Sequence, residues 1–328
     1  MLTPEIVVVA SRDDLDEFFP PDLRAEWDAV LPGTRWVDPD REPVPFDQAE
    51  VIVGGWSLSN VPDAAVLDGP LKYVCLFTGS PTGKVTAAQI EAGLLVSNWG
   101  TTVAPFVAEG GLAMILAALR RLHVYAADVA DNHGWAGIRA EGATLHGKRV
   151  AVHGFGGVAR ALIDLLAPFH VELTVHAPGV PHELIREKGG RPVDSLAELA
   201  DGAEVFVEVE ALRDDNVGCI DADVLWRLPR GAAFVNIGRG ALVNEADLAR
   251  VATELGLRVA LDVFATEPLP ADSPLRSIPG VLLMPHHAGP PRDARPVLGR
   301  LALDNVRRYL AGEPVRHAVD AAALARMT

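Results

Sequence analysis

Cysteine is nearly absent: the 328 residues include only Cys75 and Cys219, far apart and each inside an apolar stretch. Two reduced, buried thiols are expected, with no disulfide framework and no metal site. Basic surplus is absent as well, since 29 Lys and Arg stand against 44 Asp and Glu for a formal net charge of -15. Such a field repels phosphate backbones and anionic lipid, so neither nucleic acid nor a membrane surface is an expected partner, and an anionic substrate must be met by local cations. The N-terminal stretch has no basic segment and too short an apolar run for a secretory signal. Between Glu109 and Arg120 the apolar segment 112–119 falls below the ~18 residues of a membrane span. A cytoplasmic location is expected. Neither an internal repeat nor a low-complexity segment is found.

What is present is a packed composition, 49% apolar and 22% charged, in a chain longer than one core of roughly 150 residues. Two domains follow as the expectation. Short continuous apolar runs at 6–10, 51–53 and 71–77 read as strands buried on both faces, with helices over 22–31 and 61–67. A long helix is expected from about 103 to 122. A second alternating series begins at Leu145-His146-Gly147-Lys148, with strands at 149–153, 171–175, 204–209, 233–237, 258–261 and 281–283. A final helix over 292–311 leads back toward the chain end.

Strand 149–153 runs into Gly154-Phe155-Gly156-Gly157-Val158 and then a helix over 158–166. In that context Gly154 permits a tight turn and Gly156 lets the backbone approach a pyrophosphate at the helix N-terminus, with Ala159 where a third glycine often stands. A strand-to-helix turn without a ligand is the plainer alternative. The next strand ends Thr174-Val175-His176-Ala177-Pro178, without the carboxylate that reads the ribose of NAD and without a following Lys or Arg for a 2′-phosphate. NAD is favoured, because a lone neutral His176 is a poor phosphate clamp, and NADP stays open.

Farther along, three strand ends carry polar groups: Asn236-Ile237-Gly238-Arg239-Gly240, Asp262 with Glu267-Pro268, and Pro285-His286. Hydride arriving at a ketone carbon builds negative charge on its oxygen. The site then needs a proton donor titrating near neutrality, a carboxylate to orient it and a cation for the substrate carboxylate. His286, Glu267 and Arg239 fill those roles in that order. Each alone has an ordinary reading, as an ion-pair partner or a loop histidine; their occurrence together at successive strand ends points to catalysis.

These motifs, with Val107-Ala108-Glu109 and Trp135, resemble those of the D-isomer-specific 2-hydroxyacid dehydrogenases over nearly the whole chain. The resemblance implies Arg239 as substrate binder, His286 as acid/base backed by Glu267, and Asp262 at the nicotinamide end, with Ile237 and Gly238 lining the cofactor. It implies an α/β fold in which a Rossmann-type doubly wound parallel sheet, residues 101–289, is inserted into a flavodoxin-like substrate domain of residues 1–100 and 290–328. It also implies a cleft between domains and a homodimer built through the cofactor domain. The expected activity is interconversion of a small 2-keto acid and a D-2-hydroxy acid. The alternative is a dinucleotide-sensing regulatory protein of the corepressor kind on the same fold.

Two departures bear on the site. The loop expected to hold the substrate carboxylate by backbone amides reads Gly79-Ser80-Pro81, where Pro81 has no N–H and Lys84 is the candidate to compensate. The segment Val207-Glu208-Val209-Glu210 lacks the family's usual His and Pro, so an extra carboxylate is expected toward the cofactor. Trp56 and Trp99 are candidates for walls of the substrate pocket.

Overall fold

The structure is a computed structural model describing residues 5–131 and 141–324; Trp135 lies outside the described residues. The chain divides into two compact units, Met1–Val103 with Pro290–Thr328, and Ala104–Gly289.

In the first unit five parallel strands, β1 (Ile6–Val9), β2 (Arg35–Val37), β3 (Val51–Gly54), β4 (Tyr73–Leu76) and β5 (Leu95–Ser97), are ordered β2-β1-β3-β4-β5. This is the flavodoxin-type order. Strand β1 shows why these segments read as unbroken apolar runs. Ile6 and Val8 enter one core with Phe18 and Trp27, while Val7 and Val9 enter the other with Val61 and Val66. The helix Arg295–Leu310 supplies Leu298, Ala302, Leu303 and Val306 to the first of these cores, which joins the late sequence to the N-terminal sheet.

The second unit holds seven parallel strands: β6 (Arg149–His153), β7 (Glu172–His176), β8 (Arg191–Pro192), β9 (Val205–Glu208), β10 (Ala233–Asn236), β11 (Arg258–Leu261) and β12 (Leu282–Leu283). Their order, β12-β11-β10-β9-β6-β7-β8, reverses between β6 and β9. Doubly wound sheets bind dinucleotides beyond the carboxyl ends of the strands at such a reversal. Alternation again feeds two cores: Val150, Val152, Val205, Val207 and Val235 on one face, Ala151, Phe206 and Phe234 on the other.

The long helix differs from its expected form. It spans Ala104–Arg120, breaks at Arg121 in the left-handed region (φ 52°), and is followed by a separate helix, Leu122–Asp131. Gly100–Arg120 is long and apolar enough to cross a membrane, so the shorter run 112–119 understated it. Its Ala108, Met114, Ile115, Ala118 and Leu119 belong to the core beside the sheet, and that burial accounts for the apolar composition. Close approach is made possible by two glycines: a Cβ on Gly110 would lie 2.7 Å from the Ala288 carbonyl oxygen, and one on Gly111 2.6 Å from the Ile237 side chain. Both cysteines are free, but only Cys75 is buried. Cys219 is half-buried, and burial, reinforced by Glu208, pushes its thiol up to about 12.

Candidate active site

Strands β10, β11 and β12 are neighbours, so their carboxyl ends deliver three loops side by side. Buried Asn236 closes β10 and organises the first loop: its Oδ1 accepts from the Gly238 N–H (3.0 Å) and its Nδ2 donates to the Arg239 carbonyl (3.0 Å). Gly240 follows because the Phe264–Ala265 backbone crosses where its Cβ would stand. Arg239 is half-buried and donates from Nη1 to the Gly238 carbonyl at 2.8 Å. Burial lowers its pKa, while the nearby Glu267 carboxylate acts in the opposite sense.

Glu267 faces two ways. One oxygen accepts from the Phe264 backbone N–H (3.0 Å), and the other lies 2.8 Å from His286 Nδ1. A carboxylate only accepts, so Nδ1 carries the hydrogen and Nε2 is left as the working nitrogen. His286 adopts φ 58°, uncommon for a residue with a bulky side chain and kept only where the surroundings fix it. The fixing group is Asp262 at the end of β11. Its carbonyl accepts from the His286 N–H (2.9 Å), and its buried carboxylate accepts from the N–H groups of His287 (2.7 Å) and Ala288 (2.9 Å). Glu267 and His286 also line a cavity of about 570 Å³ with Phe264, Leu269 and Met284.

The glycine turn fits a pyrophosphate. Gly154 has φ 107°, and a Cβ there would come 2.9 Å from the Glu210 backbone. Gly156 caps the helix Gly157–Leu166 with no side chain bonded to the free first-turn amides, and a Cβ there would meet nothing within 4 Å. Open space beside Gly156, at a helix N-terminus that no cap side chain closes, is what a dinucleotide phosphate requires. Phe155 points into the core instead. Gly238 packs against the same segment from the other side, a Cβ there lying 3.1 Å from Val209 Cα.

At the reversal point itself lies a pair that the sequence reading did not foresee. His153 and Glu208, opposite each other in register at the ends of β6 and β9, are both buried, with Nδ1 2.6 Å from Oε2. Of the two carboxylates in that segment Glu208 is turned inward, its second oxygen accepting from the Glu210 N–H (2.9 Å). Glu210 in turn is ion-paired with Arg213 at 3.0 Å. The available signal was two charged residues closing apolar strands in matching positions.

In the first unit, Gly79 lies under Trp99, whose ring a Cβ would meet at 2.7 Å, and its carbonyl accepts from Asn98 Nδ2 at 2.6 Å. Ser80 Oγ accepts from the Thr82 N–H (3.1 Å), and the Pro81 carbonyl accepts from Lys84 and Val85, so Pro81 starts a turn. Lys84, the candidate to compensate for the missing amide, is engaged with the neighbouring loop. Its Nζ donates to the carbonyls of Trp56 (3.0 Å) and Leu58 (2.8 Å) and fixes that loop. Trp56 remains half-exposed, edge-on to both Phe18 and Trp99.

The strand order, the open glycine turn and the paired histidine define a dinucleotide-binding α/β protein. Residues 112–288, more than half of the chain, match the family model described as D-isomer specific 2-hydroxyacid dehydrogenase, NAD binding domain, and the chain belongs to that family. It is 33% identical over 317 residues to D-3-phosphoglycerate dehydrogenase of Mycobacterium tuberculosis, covering 93% of this chain and 58% of the relative. The chain thus spans little more than half the length of that relative. Glyoxylate/hydroxypyruvate reductase B of Pectobacterium carotovorum is 28% identical over 235 residues, 70% of this chain and 73% of the relative. Among solved structures, the 2-hydroxyacid dehydrogenase of Ketogulonicigenium vulgare aligns with TM-score 0.79 at 23% identity, covering 97% of this chain and 99% of that one. That likeness, with the two-sheet architecture, establishes the expected fold, and the matched domain is described as NAD-binding.

Proposed function

We propose that this protein is an NAD(P)-dependent oxidoreductase that reduces a small 2-keto acid to the D-2-hydroxy acid, and runs the reverse reaction. The observation that carries this reading is the 2.8 Å contact between His286 Nδ1 and Glu267 at a strand end next to Arg239. The bound reduced nicotinamide supplies the hydride. The protein's own groups manage charge and protons. Arg239 holds the substrate carboxylate and orients the carbonyl. His286 gives the proton on Nε2 to the oxygen as negative charge develops there, and takes it back in the oxidative direction. Glu267 holds the ring in the tautomer that leaves Nε2 outward and stabilises the imidazolium. Asp262 is assigned to the nicotinamide end, where each carboxylate oxygen retains a lone pair beside the one used by the loop amides.

The relatives named above suggest glyoxylate, hydroxypyruvate and its 3-phosphate as first substrates to try. A panel of 2-keto acids followed by loss of NADH and NADPH absorbance tests the activity. Turnover of at least one member is expected; cofactor binding without turnover of any would favour the dinucleotide-sensing alternative. A homodimer is proposed as the assembly. Helix Leu122–Asp131 supports it, because none of its residues is buried and it exposes Leu122 and Val129. Light scattering should return twice the chain mass.

A further inference from the structure

The buried His153–Glu208 pair has no part in the proton and hydride chemistry above, yet it lies under the glycine turn. His153 is the last residue of β6, and Gly154 follows it directly. Glu208 closes β9 and divides its oxygens: one lies 2.6 Å from His153 Nδ1, and the other accepts from the Glu210 N–H at 2.9 Å. Segment 208–210 is the wall against which the turn is built, since a Cβ on Gly154 would come 2.9 Å from the Glu210 backbone and 3.0 Å from that of Val209. Gly238, beyond the end of β10, packs closely on the same segment. The Glu208 carboxylate therefore ties the end of β6 to a segment that both glycines approach. At 2% and 0% exposure neither side chain is open to a ligand, so any effect on a bound cofactor passes through the turn. Protonation decides the strength of this tie. The charged ring makes a buried ion pair, whereas the neutral ring leaves the Glu208 charge uncompensated. Burial disfavours the imidazolium, but Glu208, helped by Glu210 and opposed by Arg213, outweighs it and raises the His153 pKa. The other groups around the pair are the His176 ring, stacked on His153 with centroids 5.6 Å apart, and the Cys219 thiol, which burial pushes up to about 12.

We infer that His153 and Glu208 are positioning residues for the dinucleotide: their buried ion pair holds segment 208–210 against the glycine turn, and binding of the anionic cofactor is coupled to the proton that the pair carries. The inference rests on the nicotinamide-dependent reading of the preceding section. Its sign follows from charge. The cofactor's pyrophosphate brings negative charge to the turn that begins one residue after His153, and negative charge favours the imidazolium. Deprotonation acts against binding twice, by removing that cation and by leaving a buried carboxylate without a counter-charge in the wall of the turn. By linkage, binding takes up a fraction of a proton, and affinity falls as pH rises through the free-state His153 value, by at most about tenfold per pH unit.

Calorimetric titration of NADH into the intact protein from about pH 6.5 to about pH 9.5, in pairs of buffers with unlike heats of ionisation, reads affinity and proton uptake together. Wild type should bind most tightly at the acid end, lose about 3-fold or more in affinity by the alkaline end, and take up protons between. Glu208→Gln removes the charge that raises the histidine, so the fall should move to lower pH and leave affinity reduced and nearly flat over this range. His153→Val combined with Glu208→Val exchanges the pair for apolar groups, a change that buried ion pairs often tolerate without loss of stability. That double variant should show no proton uptake and an affinity constant within about 2-fold across the range, although His176, Glu210 and Arg213 stay in place. A wild type whose affinity is independent of pH and whose binding takes up no proton would overturn the inference whatever the variants do. So would either variant that keeps the wild-type profile. Proton-coupled NADH binding without turnover of any 2-keto acid contradicts the catalytic reading and leaves this one standing. Turnover with pH-independent NADH affinity does the reverse.

Discussion

His286 is held by its backbone and its ring independently, through Asp262 and Glu267, so removing the ring should leave the loop in place. His286→Ala is expected to lower kcat by roughly 10²- to 10⁴-fold with NADH affinity unchanged by calorimetry; undiminished turnover would remove it from the chemistry. Arg239 presents a planar fork that lysine does not reproduce, and its carbonyl and Nη1 are both tied into its own loop. Arg239→Lys should raise KM for the keto acid roughly 10-fold or more and lower kcat as orientation loosens. Kinetics close to wild type would assign the carboxylate to another cation. Their placement at neighbouring strand ends was legible in sequence, because each follows an apolar run that reads as a buried strand. The His153–Glu208 pair was not, because a charge closing an apolar run reads as the edge of a strand until the register of β6 and β9 brings two such ends together.

At the scale of elements, the loop carrying Arg239 and the loop carrying Glu267 touch through Gly240, where any side chain would strike the Phe264–Ala265 backbone. Gly240→Ala must therefore push these loops apart and disturb Glu267, which is bonded to the Phe264 N–H. With misplacement on the order of 1 Å, kcat should fall roughly 10²-fold while the circular dichroism spectrum and NADH affinity are kept; unaltered kcat would show that the loops move independently. Most strands were readable because both sheet faces are covered, which forces continuous apolar runs. The elements missed are those that escape this rule. Strand β2 is an edge of three residues with two of them half-buried, β5 is equally short, and helix Arg12–Phe18 is mostly charged and rests on a Ser11 cap. The break at Arg121 was hidden because nothing in the local composition marks a non-glycine residue in the left-handed region.

For the whole molecule, the buried pair makes stability depend on pH. Burial alone would lower the His153 pKa, but the charge and hydrogen bond of Glu208, helped by Glu210 and opposed by Arg213, raise it above the ordinary value. A raised histidine contributes stability that is fully present below about pH 6.5 and is lost as pH climbs through the folded-state value. His153→Gln, which retains a donor for Glu208 but no charge, should fall short of wild type most at about pH 6, with the gap in urea midpoint narrowing toward about pH 9. A gap that widens with pH would mean the pair is neutral in the native protein. The way the first unit is built also dictates an order of events during synthesis. Leu298, Ala302, Leu303 and Val306 complete a core whose sheet is encoded before residue 98, and all of Ala104–Gly289 lies between them. On the ribosome the inserted unit can therefore close while one face of the earlier sheet still waits for its covering helix, so a nascent chain halted near residue 290 should present a finished nucleotide-binding unit and a chaperone-sensitive N-terminal one.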